Sequence, residues 1–350
     1  MSKTYRAAWS APSNIAFIKY WGKYPGQIPA NASLSMSLDA CSTHTEVVAE
    51  TIPFCDFPEI VFKFEGKEKP SFLPKIEQFI RAILPEMKWL TECRLIIDSR
   101  NTFPHSSGIA SSASAFAALA LCLTDIEQQW QGNSQNAGFF RTASHRARLG
   151  SGSAARSVYG GYTVWGKHPV IAGSSQQFAV PFDDEINNEL ADLHDDVLLI
   201  DVGEKSVSST AGHGLMNGHP YAEARFIRAA DNLHQLTVAM RSGDVEHFFD
   251  ILEEEALGLH ALMMASQPNY ILMRPNTLAA IERIRQVRRS EHLPVGFTLD
   301  AGANVHVIYP HTAEQSVSKF VKAELKSLCA NELYICDHIG QGPKPNRHEQ

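Results

Sequence analysis

The sequence predicts an α+β protein of two domains. The chain has 350 residues, of which 44% are hydrophobic. This length favours two domains of ordinary size over one domain or three. Its first half consists of short apolar strands with a few helices, whereas its second half begins with long amphipathic helices before strands return. Because strands and helices do not alternate strictly, a doubly wound sheet is not expected. We expect the domain boundary near residue 190, between residues 1–190 and 191–340.

In the first half, alternating or β-branched runs bounded by turn residues predict strands. These runs are 32–39, 43–51, 59–65, 94–98 and 157–165. Apolar residues at helical spacing predict helices as well. These helices are 75–84, 111–123 and 136–148.

In the second half, the predicted helices are longer, and the turn at 242–244 supplies a stop and an N-cap between the first two. The helices are 221–240, 245–264, 277–289 and 313–328. The predicted strands are 196–202, 296–300, 305–309 and 332–336. Residues 341–350 are polar and contain proline, so we expect a mobile tail.

Composition excludes several classes of protein. A net charge of -7 argues against nucleic-acid binding, which usually requires a basic excess. The six cysteines form no C-x-x-C pair and are expected to be free thiols. The N-terminus lacks the apolar core of a signal peptide, and no apolar run could cross a bilayer. We expect a soluble, cytoplasmic protein without a membrane partner, whose histidines, including His194, His213 and His306, are surface or packing residues.

The sharpest motif runs from Pro104 into the helix predicted after Ser111. Small residues allow the backbone to approach a ligand, and the helix start directs N–H groups and a positive dipole end at an anion. Hydroxyls at Ser107, Ser111 and Ser112 can hold phosphate oxygens or Mg²⁺. A tightly packed helix start is the plain alternative. The stretch is not a Walker loop, because G-x-x-x-x-G-K-[ST] is absent.

Two lysines and two aromatic residues follow one another in residues 19–23. On a strand, Lys19 and Trp21 would share one face and Tyr20 would lie on the other. Gly22 would then turn Lys23 back towards the same place. Taken alone, the segment is equally compatible with core aromatic residues and solvated lysines.

Two more segments place single charges beside turn residues. In residues 148–161, serines and glycines can form an anion-binding turn from which Arg156 projects as a bidentate partner for carboxylate or phosphate. An arginine in an ordinary loop is more often solvated. In residues 296–304, Asp300 ends a strand before Ala301 and Gly302. An isolated aspartate there is more often a turn cap.

Together these segments resemble known signatures. Residues 104–113 fit Pro-x-x-x-Gly-(Leu/Ile)-(Gly/Ser/Ala)-Ser-Ser-Ala, the phosphate-loop pattern of the GHMP kinase superfamily. Three further strings are similar to signatures of the diphosphomevalonate decarboxylase family: NIAFIKYWGK at 14–23, RLGSGSAARSVYGG at 148–161 and TLDAGAN at 298–304. The chain is therefore identified as resembling that family from about residue 8 to residue 310.

The resemblance implies a two-domain GHMP kinase fold, with an N-terminal domain like domain 2 of ribosomal protein S5 and a ferredoxin-like α+β C-terminal domain. It implies ATP-dependent decarboxylation of mevalonate diphosphate to isopentenyl diphosphate, ADP, phosphate and CO₂, with ATP and Mg²⁺ as cofactors, and a homodimer. In this reaction Asp300 would be the general base, and Arg156 would orient the substrate carboxylate. Lys19 would hold Asp300 ionised or contact substrate.

The other implied contacts form two groups. Substrate-binding residues would be Asn14, Tyr20, Lys23, Ser153, Lys205, Ser208 and Ser209. ATP-binding residues would be Ser107, Gly108, Ala110, Ser111 and Ser112, and the hydroxyls of Ser111 and Ser112 would also bind Mg²⁺. The match loosens near residues 204–213, where Ser206 follows Lys205 in place of a second lysine and His213 stands where Met is usual.

Alternatives remain open at this stage. A phosphomevalonate decarboxylase would perform the same chemistry on a substrate with one phosphate fewer, and a mevalonate kinase-like enzyme would stop after phosphoryl transfer. Outside the enzymes, the chain could be a catalytically silent ATP- or metabolite-binding GHMP protein. A serine hydrolase has less support, because no Gly-x-Ser-x-Gly elbow occurs with a plausible His partner.

Overall fold

The structure is a computed structural model and describes residues 3–104, 111–133, 137–183, 185–203, 207 and 209–346. Its strands are β1 (Thr4–Ala16), β2 (Lys23–Tyr24), β3 (Ile28–Pro29), β4 (Ser33–Thr51), β5 (Glu59–Phe64), β6 (Lys67–Glu68), β7 (Cys93–Asn101), β8 (Tyr162–Trp165), β9 (Ala179–Pro181), β10 (Leu193–Leu198), β11 (Gly296–Thr298), β12 (Val305–Pro310), β13 (Tyr334–His338) and β14 (Lys344–Pro345). Its α-helices are α1 (Leu73–Ile83), α2 (Ser111–Trp130), α3 (Phe139–Gly150), α4 (Asn188–Ala191), α5 (Ser209–Gly214), α6 (Ala222–Ser242), α7 (Val245–Ala265), α8 (Pro275–Glu291) and α9 (Glu314–Phe320).

The larger sheet has the strand order β14-β1-β4-β7-β5-β6, and β8 joins it by pairing with β4 and β9. Apolar side chains alternate along β1 and β4, so Trp9 and Val47 share a core with α1, α2 and α3. Alanines along α2, among them Ala117 and Ala120, are fully buried and let this helix lie close to the sheet. Burial of α2 thereby fixes its first residue, Ser111, near the carboxyl end of the predicted phosphate loop.

The smaller sheet is antiparallel, with the order β11-β12-β10-β13. On one face, Leu198 and Val307 pack with α8 and α9. On the other, Val197 and Ile308 pack with α6 and α7 in a core that also contains Ile18, from the segment that follows β1. This shared core holds the segment after β1 against α6 and α7, which positions the site described below.

The predicted α+β class is confirmed, but strand boundaries differ in the N-terminal part. Residues 33–51 form one strand and not two, because pairing with β1 continues across an irregularity between Pro12 and Asn14. Lys19 and Trp21 do not lie on a strand, since β1 ends at Ala16. Of the strand predicted at 157–165, Tyr162–Trp165 forms a β-strand, because residues 157 and 158 belong to the 3₁₀ turn Gly152–Val158.

The C-terminal part also differs in detail. The helix predicted at 313–328 is α-helical only to Phe320 and continues as π and 3₁₀ turns. Residues 344–346, expected in a mobile tail, pair with the larger sheet: Lys344–Pro345 lies beside β1, and Asn346 N donates to Ala8 O at 2.7 Å. All six cysteines are free thiols, as predicted. Within the described ranges no helix is long and apolar enough to cross a membrane. The boundary near residue 190 stays a prediction.

Candidate active site

A cavity of about 330 Å³ lies where the segment after β1, the start of α2 and the loop after β11 meet. Most of the described residues predicted for the site line this cavity, and they come from both halves of the chain. They are Asn14, Lys19, Tyr20, Lys23, Ser112, Ser153, Arg156 and Asp300. Side chains separated by almost 300 positions in sequence therefore converge on one small volume.

Lys19 and Asp300 form an ion pair in the wall of the cavity. Lys19 Nζ lies 3.2 Å from Asp300 Oδ1, and the lysine side chain is 2% exposed while that of the aspartate is 29% exposed. Burial lowers the pKa of Lys19, and the nearby Asp300 carboxylate opposes that shift. An ammonium this close favours the charged carboxylate, which is the form able to accept a proton.

Arg156 is held in the 3₁₀ turn Gly152–Val158 and is buried. Its Nε and Nη2 each donate to Asn14 Oδ1 at 3.2 Å, and its Nη1 donates to Ser33 Oγ. Asn14 is fixed in turn, because its Nδ2 donates to Ser157 Oγ at 2.8 Å. Burial lowers the pKa of Arg156 to about 10, opposed by the charge of Asp300. The guanidinium is therefore a fixed cation at neutral pH that faces the same cavity as Asp300.

Aromatic side chains close one side of the cavity. Tyr20 lies edge-on to Trp165, with ring centroids 4.8 Å apart, and burial raises its pKa. His213 packs between Tyr20 and Trp21, with ring centroids 4.3 and 4.6 Å away. It therefore has the packing role expected from the sequence, and it also lines the cavity. Its Nδ1 accepts from Gly22 N at 3.0 Å, and burial lowers its pKa to about 3. This imidazole is therefore neutral.

Lys23 and a row of serines contribute polar groups at the rim. Lys23 Nζ donates to Gln27 Oε1 at 2.8 Å, and partial burial lowers the pKa of Lys23. Ser112 Oγ lies 3.3 Å from Ser151 Oγ, which lies 3.3 Å from Ser153 Oγ. Hydroxyls at the N-terminus of α2 thus continue into the glycine- and serine-rich turn, an arrangement suited to phosphate oxygens.

The predicted ATP contacts can be placed only in part. Ser111 begins α2, but it is not among the residues lining the cavity, whereas Ser112 is. Ser107, Gly108 and Ala110 lie outside the described residues, as do Lys205 and Ser208. Ser209 begins α5, and its side chain is likewise outside the described part.

Helix α7 supplies supporting groups that sequence reasoning did not assign. His260 Nε2 lies 3.1 Å from Asp300 O, and burial lowers the pKa of this histidine to about 4. Glu255 Oε2 accepts the backbone N–H of Lys19 at 2.8 Å. No local sequence signal marks Glu255, because its contact with the backbone of Lys19 joins residues 236 positions apart.

Comparisons with known proteins agree along almost the whole chain. Residues 11–176 match the family model for the diphosphomevalonate decarboxylase-like N-terminal domain, and residues 197–344 match that for the mevalonate 5-diphosphate decarboxylase C-terminal domain. The diphosphomevalonate decarboxylase mvd1 of Aspergillus fumigatus is 28% identical over 340 residues, covering 92% of this chain and 81% of that protein. The phosphomevalonate decarboxylase of Haloferax volcanii is 26% identical over 294 residues, covering 83% of this chain and 82% of that protein.

A solved structure described as "MDDEF in complex with MVAPP, AMPPCP and Magnesium" superposes with a TM-score of 0.81 at 28% identity. The superposition covers 99% of this chain and 100% of that one, so both halves of the chain share its GHMP kinase-type architecture. Two family models that together span most of the chain, relatives matched over most of their length and a structural match over nearly the whole chain lead to one conclusion. The chain belongs to the diphosphomevalonate decarboxylase family.

Proposed function

We propose that this protein uses ATP to decarboxylate mevalonate diphosphate, giving isopentenyl diphosphate, ADP, phosphate and CO₂. The observation that carries the proposal is the convergence of Lys19, Arg156 and Asp300 on one cavity whose rim includes Ser112 at the start of α2. A base, a carboxylate-binding cation and a phosphate-binding helix start are the three groups that this reaction requires.

Asp300 is the proposed general base. The substrate carries a tertiary hydroxyl, and Asp300 accepts its proton as the oxygen attacks the γ-phosphorus of ATP and the bond to ADP breaks. Lys19, 3.2 Å from Asp300, keeps the carboxylate charged before the transfer and stays buried beside it. General bases of this kind typically contribute about 10²- to 10⁴-fold to a rate.

Arg156 is the proposed partner of the substrate carboxylate. Phosphate departs from the tertiary carbon with the C–O electron pair, and the bond to the carboxyl carbon breaks to supply the electrons of the new double bond, releasing CO₂. The two bonds must align for this fragmentation. A guanidinium fixed by Asn14 and Ser33 holds the carboxylate in that alignment, because little side-chain freedom remains to be lost.

The remaining predicted contacts bind phosphates. Ser112, together with the predicted Ser107, Gly108, Ala110 and Ser111, is proposed to hold ATP at the N-terminus of α2. Mg²⁺, bound by the hydroxyls of Ser111 and Ser112, would neutralise charge on the transferred phosphoryl group. Oxygen donors suit this ion, and the row of hydroxyls from Ser112 to Ser151 fits such a set. Lys23 and Lys205 would pair with the substrate diphosphate. The other predicted substrate contacts are Asn14, Tyr20, Ser153, Ser208 and Ser209.

The test measures CO₂ release, with purified protein and ATP, from mevalonate, mevalonate phosphate and mevalonate diphosphate. Release only from the diphosphate supports the proposal. Release only from the monophosphate would favour the second candidate, a phosphomevalonate decarboxylase. Two observations favour that candidate. The chain is similar to the phosphomevalonate decarboxylase of Haloferax volcanii, and Ser206 stands where a second lysine is common in the family. ADP without CO₂ would indicate a kinase, and binding without turnover a silent GHMP protein.

We also propose a homodimer and a cytoplasmic location. The homodimer follows from the resemblance to the family alone, and light scattering on the purified protein tests it: a mass near 77 kDa, twice the 38.7 kDa of one chain, is expected. The location is supported by six free cysteines, since thiols persist in a reducing compartment.

Activity is expected to fall at alkaline pH at a lower value than an ordinary lysine would give. Lys19 acts in its protonated form, which exists below its pKa, and burial lowers that pKa from the usual value of about 10.4. The rate therefore declines as pH rises through the depressed pKa of Lys19, since the protonated form is lost there. Measurement of kcat between about pH 6 and about pH 11, with thermal stability followed in parallel, locates the decline. A rate that stays constant beyond about pH 10.4 would contradict this assignment.

Gly152→Ala is expected to lower kcat/KM for the mevalonate substrate about tenfold, because small misplacements of substrate contacts cost that much or more. A Cβ at this position would lie 2.7 Å from Trp165 Cη2 and 2.8 Å from Tyr20 Oη, so the Tyr20 ring must shift. Steady-state kinetics measures the change. Gly258→Ala is the control, since its Cβ meets no heavy atom within 4 Å, and it should behave like wild type. Equal losses in both variants would refute the packing argument.

A further inference from the structure

A fully buried ion pair lies directly behind the cavity. Glu255 of α7 has 0% side-chain exposure and Arg225 of α6 has 7%. Arg225 Nη1 and Nη2 donate to the two carboxylate oxygens at 2.8 and 2.6 Å. Asn232 Nδ2 donates to Glu255 Oε1 at 2.8 Å, and the backbone N–H of Lys19 donates to Oε2 at 2.8 Å. Every one of these contacts requires an acceptor at residue 255, which a carboxylate supplies at both oxygens.

The pair fixes the backbone of Lys19 from both sides. Glu255 binds its N–H, and Arg225 Nη2 donates to its carbonyl oxygen at 3.2 Å. Asn31 Nδ2 donates to the same carbonyl at 3.0 Å. Because β1 ends at Ala16, no sheet ladder holds residue 19, and these side chains take over that role. The position of Lys19 Nζ therefore depends on the pair.

The same helix holds the partner of Lys19. His260, one and a half turns after Glu255 on α7, contacts the backbone oxygen of Asp300 at 3.1 Å. Helix α7 thus carries one contact to each member of the Lys19–Asp300 pair. The 3.2 Å separation between Nζ and Oδ1 is consequently set by a single rigid element.

We propose that Glu255, paired with Arg225, is a positioning residue for the reaction: it fixes Lys19 against Asp300 and supplies negative charge that keeps the buried ammonium protonated. This inference rests on the proposed function, in which Lys19 and Asp300 act together. Neither residue of the buried pair lines the cavity, so both act through Lys19.

Electrostatics supports the second half of the proposal. Burial lowers the pKa of Lys19, whereas Asp300 and then Glu255 raise it and Arg156 lowers it. Among the described residues, the charged and titratable groups that act on Lys19, touch it or are affected by its charge are Asp300, Glu255, Arg156, Arg225, His260 and Asp195. Removing the charge of Glu255 leaves Arg225 as an unbalanced cation near Lys19. The loss of the Glu255 charge and the unbalanced charge of Arg225 both lower the pKa of Lys19.

Glu255→Gln is the direct test. The amide keeps the shape but can accept at one oxygen only, so contacts to Lys19 or Arg225 are lost. We expect kcat for CO₂ release to fall about tenfold, as for a misplaced catalytic group. The Michaelis constant for ATP should stay within about twofold of wild type, because Lys19 is not an ATP contact. We also expect the alkaline decline of kcat to move to lower pH, which a purely structural role would not produce.

Glu253→Gln is the matched control. Glu253 lies on the same helix, is 3% exposed, and pairs with Arg285 Nε at 2.7 Å and Arg288 Nη1 at 2.8 Å, away from the cavity. It should lose thermal stability as Glu255→Gln does, while keeping kcat and the pH profile. A double variant, Glu255→Gln with Arg225→Gln, removes both charges and avoids an isolated buried cation if the single variant folds poorly. It should show the same loss of kcat.

Two results would overturn the proposal: an unchanged kcat and pH profile in a folded Glu255→Gln or double variant, or an equal loss in Glu253→Gln. A separate readout distinguishes this failure from failure of the proposed function. Acylation of Lys19 by acetic anhydride, followed against pH by peptide mass spectrometry, locates its titration without turnover. Its midpoint should fall in Glu255→Gln even if the wild-type protein released no CO₂ from mevalonate diphosphate, and an unshifted midpoint counts against the proposal.

Discussion

Asp300→Asn is expected to lower the rate of CO₂ release by about 10²- to 10⁴-fold. The amide has the size of the carboxylate but cannot accept the proton of the tertiary hydroxyl at neutral pH. ATP affinity should be nearly unchanged, because the predicted nucleotide contacts lie at the start of α2 and not at the loop after β11. Single-turnover assays with ATP and mevalonate diphosphate measure both ADP and CO₂. Both should fall together, since proton removal accompanies phosphoryl transfer and the loss of CO₂ follows it.

Two comparisons make this result interpretable. Asp250→Asn changes a side chain that is 69% exposed on α7 and should have wild-type kinetics. Asp300→Asn also removes a charged partner from Lys19 Nζ, so thermal stability must be measured alongside the rate. A folded Asp300→Asn protein with wild-type turnover would exclude Asp300 as the base.

Local sequence patterns predicted the parts of the site that depend on short segments. The turn 152–158 with Arg156 and the helix beginning at Ser111 occur where their strings placed them. Asp300 follows β11 as expected, but the strand ends at Thr298 and not at residue 300. Each depends on glycine, serine or a strand end within a few residues, so one sequence suffices to indicate it. Helix and strand classes were likewise predictable for strongly periodic segments such as α7 and β12.

The parts of the site that local patterns did not predict depend on long-range packing. The sequence analysis considered residues 19–21 on a strand. The chain instead leaves the sheet after Ala16 to meet α6 and α7. The acceptor for the N–H of Lys19 is Glu255, a residue that has no distinguishing neighbours in sequence. His213 has no neighbours at the spacing of a metal site, so the sequence indicated a surface or packing residue. The packing of His213 in α5 against Trp21 brings its side chain to the cavity. Such contacts depend on the complete fold.

Arg156→Lys is expected to lower CO₂ release about 10²-fold, since orientation of a reacting group commonly contributes that much or more. Lysine keeps the positive charge but loses the planar fork that binds a carboxylate at two points, and it cannot satisfy Asn14 Oδ1 from both Nε and Nη2. Phosphoryl transfer depends on Asp300 and should suffer less. The ratio of ADP formed to CO₂ released should therefore rise above one.

Arg146→Lys provides the matched comparison, because Arg146 is also buried and hydrogen-bonded. It donates to Thr124 Oγ1 at 3.1 Å and to Glu127 Oε2 at 2.6 Å. Arg146 lies on a part of α3 that does not line the cavity. It should keep the ADP to CO₂ ratio at one even if stability falls. If Arg156→Lys changed only the Michaelis constant for ATP, the guanidinium would belong to the nucleotide and not to the carboxylate. The ratio thus separates fragmentation from phosphoryl transfer, because only fragmentation requires the carboxyl group to be held in line with the departing phosphate.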